Sequence, residues 1–529
     1  MSKMRMTRTT TELWTRRTSA CRVKLWGGRF TKDTDGRVKA WAESITIDEH
    51  MALEDMWGSI GHVSQLTVQG ILTEDVGRKV TASLLKLYRG YEKKEWRLGD
   101  DSPFKIHDDV HMQVEARVIA DCGMENGGQM HTCRSRNDQV IVSTKMHLRE
   151  MLILLRGNVI EAVRAFQTRA KEHVNDTMVA YTHFQHAQPV SIAFWLTHYA
   201  AVLLRDLDRL KRAFDITDQS PLGGGAISGT SFPINRNMSA ALLGFQQPQL
   251  HSLDTTGNRD FFLETLSSVA IMQSTFSRLA EEFIMWSSYE FRTLTMDDGF
   301  AMGSSMMPQK KNPGTVELLR GRTGRITGLM VAGFTMIKGL PSGYSRDFHE
   351  EKEILHEQLT LAIRASEIVA PLVQSTIINK ERMYELTFLN FSTATELANY
   401  LVKKHKMPFR QTHHVIGSLV GILTRDKDDF RNYARVQAHL KEHHIEATLE
   451  DLEAVLDGAQ VARSYNSLGG TGPKAVAHMI ETFDAELARR EAELAADKKR
   501  MDDARALCLR IAETGDFSLV PRPAPYPWQ

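Results

Sequence analysis

The chain has 529 residues, 42% hydrophobic and 25% charged, with Lys+Arg 66 against Asp+Glu 65 and a formal net charge of +1. That balance excludes nucleic acid or an anionic membrane as a partner held by overall charge, so any preference for anions has to be local. Cys21, Cys122, Cys133 and Cys508 show no CxxC spacing, which argues against a disulfide framework or a zinc site and fits a reducing, cytoplasmic setting.

The first 24 residues carry Lys3, Arg5, Arg8, Arg16, Arg17, Arg22 and Lys24 against one acid, Glu12. They read as a disordered extension, with mitochondrial import by a basic transit peptide as the competing reading; the apolar core of a secretory signal is lacking. No apolar run approaches the roughly 18 residues that a membrane span needs.

To about residue 135 short helical patterns alternate with loops. Ile60 to Gln69 and Val76 to Tyr88 read as helices, Trp96 to Pro103 as a connection, and Lys105 to Ala120 as a further helical stretch. Long periodic helices follow. Leu148, Met151, Leu155, Val159, Ala162 and Phe166 form one apolar stripe, and further runs cover Ile192–Phe214, Phe261–Tyr289, Thr315–Lys338 and Glu350 to about Thr376. Lengths of about 20 to 28 residues exceed the usual mean of about 11 to 12 and suit a bundle whose stripes also bury against other subunits. No alternating strand and helix pattern supports a dinucleotide-binding fold. A helical section from Thr395 passes through Met407-Pro408-Phe409-Arg410 to the loop Ser467 to Gly472, then a last charged helix and a tail with Pro521, Pro523, Pro525 and Pro527.

Polar residues concentrate in three places. One is His131 to Gln139, containing Ser135-Arg136-Asn137-Asp138-Gln139, and a second is Tyr181 to Pro189. The third is Gly303-Ser304-Ser305-Met306-Met307-Pro308-Gln309-Lys310-Lys311-Asn312-Pro313, with Glu317 just beyond it. Gly303, Pro308 and Pro313 make this last stretch a shaped loop, and its hydroxyl, ammonium and amide donors suit an anion whose charge grows during reaction. Each place also has a plain structural reading: arginines pairing with surface acids, a histidine capping a helix, a glutamate favoured by a helix N-terminus.

Taken together, the stretches make the chain resemble the fumarase/aspartase superfamily through the GSSxMPxKxNP pattern at 303–313. Within it the chain is similar to the argininosuccinate lyase family through Lys24 to Phe30, the SRNDQ of 135–139, Gly339 to Ser342, Met407 to Gln411 and Leu468 to Thr471. The resemblance implies a mainly α, three-domain fold with a central long-helix bundle. Its divisions would be an extension at 1–23, a mostly helical domain at 24–135, the bundle with the serine loop at 136–384, a small helical domain at 385–512 and a Pro-rich tail at 513–529. It also implies a homotetramer with composite active sites, a small-molecule substrate and no cofactor or metal.

The implied reaction is reversible β-elimination, splitting an N-substituted aspartate into fumarate and a free nitrogen compound. It needs a base at carbon, donors for the aci-carboxylate and an acid at nitrogen. By resemblance Ser304 is the base, Lys310 and Asn312 grip the substrate carboxylate, and His183, charged and oriented by Glu317, serves the leaving group. Ser44, Arg136, Asn137, Thr182, Tyr344, His349 and Lys352 are the implied substrate-binding residues. The chain departs from the family pattern in four places: His349 stands where Gln is usual, Cys133 where Gly is, His186 where Arg is, and His414 where Glu is common. His349 leaves a second reading open, a superfamily member releasing fumarate from another N-substituted aspartate. A non-catalytic crystallin-like structural role is a third.

Overall fold

A computed structural model describes residues 31, 32, 34–99 and 109–527. The extension at 1–23, the Lys24 to Phe30 stretch, the end of the connection through Pro103 and Lys105 to Asp108 lie outside the described residues. The N-terminal part supplies α1 (Ala52–Val68), α2 (Glu74–Glu92) and α3 (Val110–Cys122). Thr73 caps α2 by accepting from the Val76 amide, and Asp109 caps α3 by accepting from the Met112 amide at 2.7 Å.

The bundle begins with α4 (Arg136–Glu172), whose 37 residues extend the predicted stripe in both directions. Its start lies in the SRND stretch itself: Ser135 and Asp138 form a capping box, the Ser135 amide donating to Asp138 Oδ1 at 3.0 Å. A hairpin, β1 (Thr177–Thr182) with β2 (Gln185–Ser191), then leads into α5 (Ile192–Thr217). The antiparallel register runs from Thr177 opposite Ser191 to Thr182 opposite Gln185. Thus the polar stretch Tyr181 to Pro189 covers the end of the first strand, the tip and most of the second strand of a hairpin. After α6 (Asp260–Trp286), the serine loop is closed at its base by β3 (Met302–Gly303) pairing with β4 (Lys311–Asn312). The loop leads into α7 (Gly314–Ile337), and α8 (Glu350–Ser375) follows. These four helices match the predicted runs to within a few residues, because burial of one apolar stripe sets both pattern and length.

Helix α4 packs on α5 and α8, and α6 on α5 and α7. A Cβ on Gly333 of α7 would lie 2.3 Å from Leu266 and 3.0 Å from Phe262 of α6, so only glycine lets these helices approach so closely. Much of the rest of α7 stays open: Leu318 is 50% exposed, Val331 55% and Phe334 44%, and a Cβ on Gly321, Gly324 or Gly328 would meet nothing within 4 Å.

Three hydrophobic clusters hold the chain. One fills the bundle, a second joins α1, α2 and α3 to residues 222–245, and a third lies among the short helices between Leu397 and Leu456. The last helix, α9 (Pro473–Thr514, 42 residues), crosses two of them. Val476, Ile480 and Leu487 belong to the bundle core, whereas Ala504, Cys508 and Ile511 belong to the N-terminal core. Pro473 at its start and Gly515 at φ +64° after its end set its limits. Beyond it Phe517 and Val520 are still buried in the N-terminal core, and the prolyl tail lies along 235–237, where Asn235 Nδ2 donates to the Pro523 carbonyl at 2.8 Å.

Several histidines are buried uncharged. Burial first, then Arg134, pushes His62 and His131 down to about 3, and burial with His50 and His147 alongside pushes His356 to about 4. The His356 ring stacks on His50 at 3.6 Å and lies 5.8 Å from His147. An unfolded imidazole titrates near 6.5, so below that pH the unfolded chain binds more protons than the folded one. Stability held above about pH 6.5 is therefore lost as pH falls toward these depressed values. The thermal midpoint is expected to drop steadily between about pH 6.5 and 4, less steeply for His356→Phe; a flat midpoint there would contradict this account.

Candidate active site

The serine loop projects from the bundle at the start of α7. Ser304 Oγ accepts from the Met307 amide at 3.0 Å and from the Met306 amide at 3.3 Å, two donors that would also stabilise an alkoxide on that oxygen. Asn312 Nδ2 donates to the Gly303 carbonyl at 3.4 Å across the base of the loop, and Lys311 pairs with Asp298. Lys310 and Glu317 are exposed and, among the described residues, enter no side-chain hydrogen bond or ion pair.

A second group gathers where α8 begins. Lys352 and Asp48 form an ion pair with side chains 2% and 0% exposed, and Asp48 also accepts from Ser44 Oγ at 2.8 Å and from the Val110 amide at 3.1 Å. Arg136 Nη2 lies 3.3 Å from Glu115, and Arg136 Nε lies 3.9 Å from Asp109. Burial acts to raise the Asp109 carboxyl, but Arg136, His111 and the capping bond outweigh it and hold it low. Asn137 Nδ2 donates to the Ala226 carbonyl at 3.3 Å. Burial, then Glu351, pushes the Tyr344 phenol up to about 12, and Tyr344 meets Phe348 edge-on at 5.8 Å. Burial, then Lys352 and Arg346, pushes His349 down to about 4, so it is a neutral imidazole at pH 7. Asp48 is the residue this group turns on, and sequence reading missed it. It stands in Ile47-Asp48-Glu49 with no motif to mark it, 304 positions from its lysine.

Thr182 and His183 lie at the third place, the exposed hairpin tip, where His183 at φ +54° and Phe184 at φ +58° turn the chain. His186 fixes the hairpin through Nδ1 and the Leu389 carbonyl at 3.2 Å, with Tyr181 edge-on at 5.3 Å. No hydrogen bond or ion pair joins His183 to Glu317 or Ser304 among the described residues.

Helix lengths explain the separation. Helices α6 and α7 are antiparallel: Arg320 pairs with Glu281, while Gly333 meets Phe262. Ser304 precedes the first turn of the 24-residue α7, and Tyr344 to Lys352 follow its last turn. At 1.5 Å per residue those ends are about 36 Å apart. In the same way α4 starts at Arg136 and ends beside β1, about 55 Å of helix later. One chain therefore holds the substrate-binding group a helix length away from both the serine loop and the histidine hairpin.

Of the two departures not yet placed, Cys133 acquires a physical reading. Cys133 sits at φ +62°, the left-handed region that glycine enters freely, and burial pushes its thiol up to about 11, away from reactivity. Cys133→Gly is expected to stabilise the chain by up to about 1 kcal/mol, the left-handed strain relieved less the backbone entropy of glycine, read as a raised thermal midpoint; a lowered one would show that the thiol's packing matters more. His414 is exposed beside His413 and has no visible tie to the site. Among the described residues no group of three His, Cys, Asp or Glu is placed to hold a metal, and no helix is long and apolar enough to cross a membrane.

Comparison with known proteins identifies the family. A family model described as Lyase matches residues 28–328, and one described as Argininosuccinate lyase C-terminal matches residues 391–462. The argininosuccinate lyase of Bacillus licheniformis is 41% identical over 465 residues, 87% of this chain and 98% of the relative. That of Bacillus subtilis is 39% identical over 472 residues, again 87% and 98%. Among solved structures, an EDDS lyase in complex with formate superposes with a TM-score of 0.79 at 26% identity, covering 92% of this chain and 97% of that one. Fold, motifs and relatives together place the chain in the argininosuccinate lyase family of the fumarase/aspartase superfamily.

Proposed function

We propose that the chain catalyses the reversible β-elimination of argininosuccinate to arginine and fumarate, as a cytoplasmic homotetramer with active sites shared between subunits. The observation that carries this reading is Ser304, whose Oγ is met by two backbone amides in a loop that also presents Lys310 and Asn312. Ser304 takes the proton from the carbon beside the carboxylate, with Lys310 and Asn312 holding the charge that spreads into it. His183, oriented by Glu317, returns a proton to the leaving nitrogen. Ser44, Arg136, Asn137, Thr182, Tyr344, His349 and Lys352 hold the rest of the substrate. Closing of the serine loop over the substrate would exclude water.

The helix lengths support shared sites. The loop and the Lys352 group can meet across one substrate only if neighbouring chains supply them. The open face of α7, with Leu318, Val331 and Phe334 beside its glycines, is the contact surface this requires. Incubating purified protein with argininosuccinate tests the reading: fumarate absorbance should rise and free arginine appear in equal amount. Release of neither product would overturn it.

The second reading, fumarate from another N-substituted aspartate, is favoured by His349 and by the 26% identity to an EDDS lyase. His349→Gln is expected to improve kcat/KM for argininosuccinate by several-fold if the amide serves the guanidinium end, the size of one recovered hydrogen bond. Unchanged kinetics would make His349 a tolerated variation.

A further inference from the structure

A cavity of about 370 Å³ lies behind the histidine hairpin, outside every group described above. Its walls are aromatic: Tyr181 of β1, Phe194 and Trp195 of α5, Trp286 of α6 and Phe483 of α9. Trp195 and Trp286 lie 4.7 Å apart at 49°. The size falls within the usual range for small-molecule sites, about 300–1,000 Å³.

One carboxylate faces this aromatic space. Glu282 Oε2 accepts from Trp195 Nε1 and from the Tyr199 hydroxyl, both at 2.7 Å, which fixes its orientation. Its other oxygen, Oε1, accepts no hydrogen bond, and Glu282 forms no ion pair among the described residues. Burial, then this carboxylate, pushes the Tyr199 phenol well up. Arg278, one turn earlier on α6, is exposed and makes no ion pair with it, and burial, against the pull of Glu282, holds the His198 imidazole on the cavity wall low. The Tyr181 hydroxyl is buried without a partner on the same wall. An unpaired carboxylate oxygen among indole and phenyl rings is the environment that recognises a weakly hydrated cation.

We propose that this cavity binds a compact organic cation, an alkylammonium or alkylguanidinium group, with its charge on Glu282 Oε1 and its aliphatic part against Trp195 and Trp286. The strand forming one wall, through Met178, Ala180 and Tyr181, runs directly into Thr182 and His183. An occupant would therefore brace the hairpin that carries them.

The test titrates the purified full-length protein with n-butylammonium, n-butylguanidinium and the neutral 1-pentanol, following tryptophan emission and calorimetric heat. Both cations should bind saturably and more tightly than the alcohol. Glu282→Gln keeps an oxygen for Trp195 and Tyr199, so its thermal midpoint should hold while cation affinity falls by about tenfold or more, the loss of one charge-assisted contact. Ala201→Arg, which fills the cavity from the opposite wall, should abolish binding without relying on the Glu282 variant. Absence of saturable binding, equal binding of the alcohol, or unchanged affinity in Glu282→Gln would each overturn the proposal.

Discussion

Ser304→Ala is expected to lower kcat by about 10³-fold or more while KM and thermal midpoint stay near those of the parent chain. The estimate combines loss of the base at carbon, typically about 10²–10⁴-fold, with loss of the oxygen on which the Met306 and Met307 amides converge. The fold should be indifferent, because Ser304 lies in an exposed loop and its hydroxyl contacts only backbone of that loop. Fumarate release under saturating substrate is the measurement. A loss of only a few-fold would remove Ser304 from the base role and shift attention to His183. A lowered midpoint would mean that the two amides had been holding the loop in shape.

The largest expected effect on stability belongs to Arg259→Met. Arg259 and Glu351 pair with side chains only 0% and 2% exposed, and the Arg259 guanidinium lies 3.9 Å from the Phe348 ring. Burial already pushes the Glu351 carboxyl up, and Arg259 is the largest influence opposing that rise. Removing the arginine leaves a buried carboxylate alone, which costs about 3–5 kcal/mol. Glu351 is next to Lys352, so the damage should also appear as a raised KM. The double variant Arg259→Met with Glu351→Met should recover most of the stability, since an apolar pair of similar volume needs no compensation. If the double variant is no better than the single one, the cost lies in lost packing on Phe348 rather than in the orphaned charge.

Much of the bundle was legible because its physics is local. A helix that buries one stripe repeats its apolar residues every three or four positions, and α5, α6, α7 and α8 do so along their whole length. The start of α4 lies well before the stripe that begins at Leu148, at a capping box of Ser135 and Asp138 whose residues were read only as part of a polar stretch. The reach of α9 was not legible. Its buried residues are sparse and include Arg490, paired with Asp208, and Asp497, paired with Arg156, so no continuous stripe marks the helix. The hairpin escaped because its turn rests on two left-handed residues, His183 and Phe184, that are neither glycine nor asparagine.

The proposed site divides in the same way. The residue types in the serine loop and in SRNDQ point to their chemistry wherever they fold. Asp48 does not, because its importance lies in Lys352, Ser44 and the Val110 amide arriving from distant parts of the chain. The separation of Ser304 and Lys352, by contrast, is implicit in the run Thr315–Lys338 between them, whose length at 1.5 Å per residue holds the two apart.

Helix α9 also constrains the order in which the protein can be made. Its last turns, with Phe517 and Val520, complete a core built with α1, α2, α3 and residues 222–245. During translation α1 and α2 stay open on that side until more than 400 further residues have emerged. The N-terminal helices therefore wait as exposed apolar surface, the state in which nascent chains are most prone to aggregate and most dependent on chaperones. Closing them is a contact between segments more than 400 residues apart, with the high loop-closure entropy that such contacts carry. A chain ending before Pro473 would leave that core unclosed and the bundle without one of its flanks.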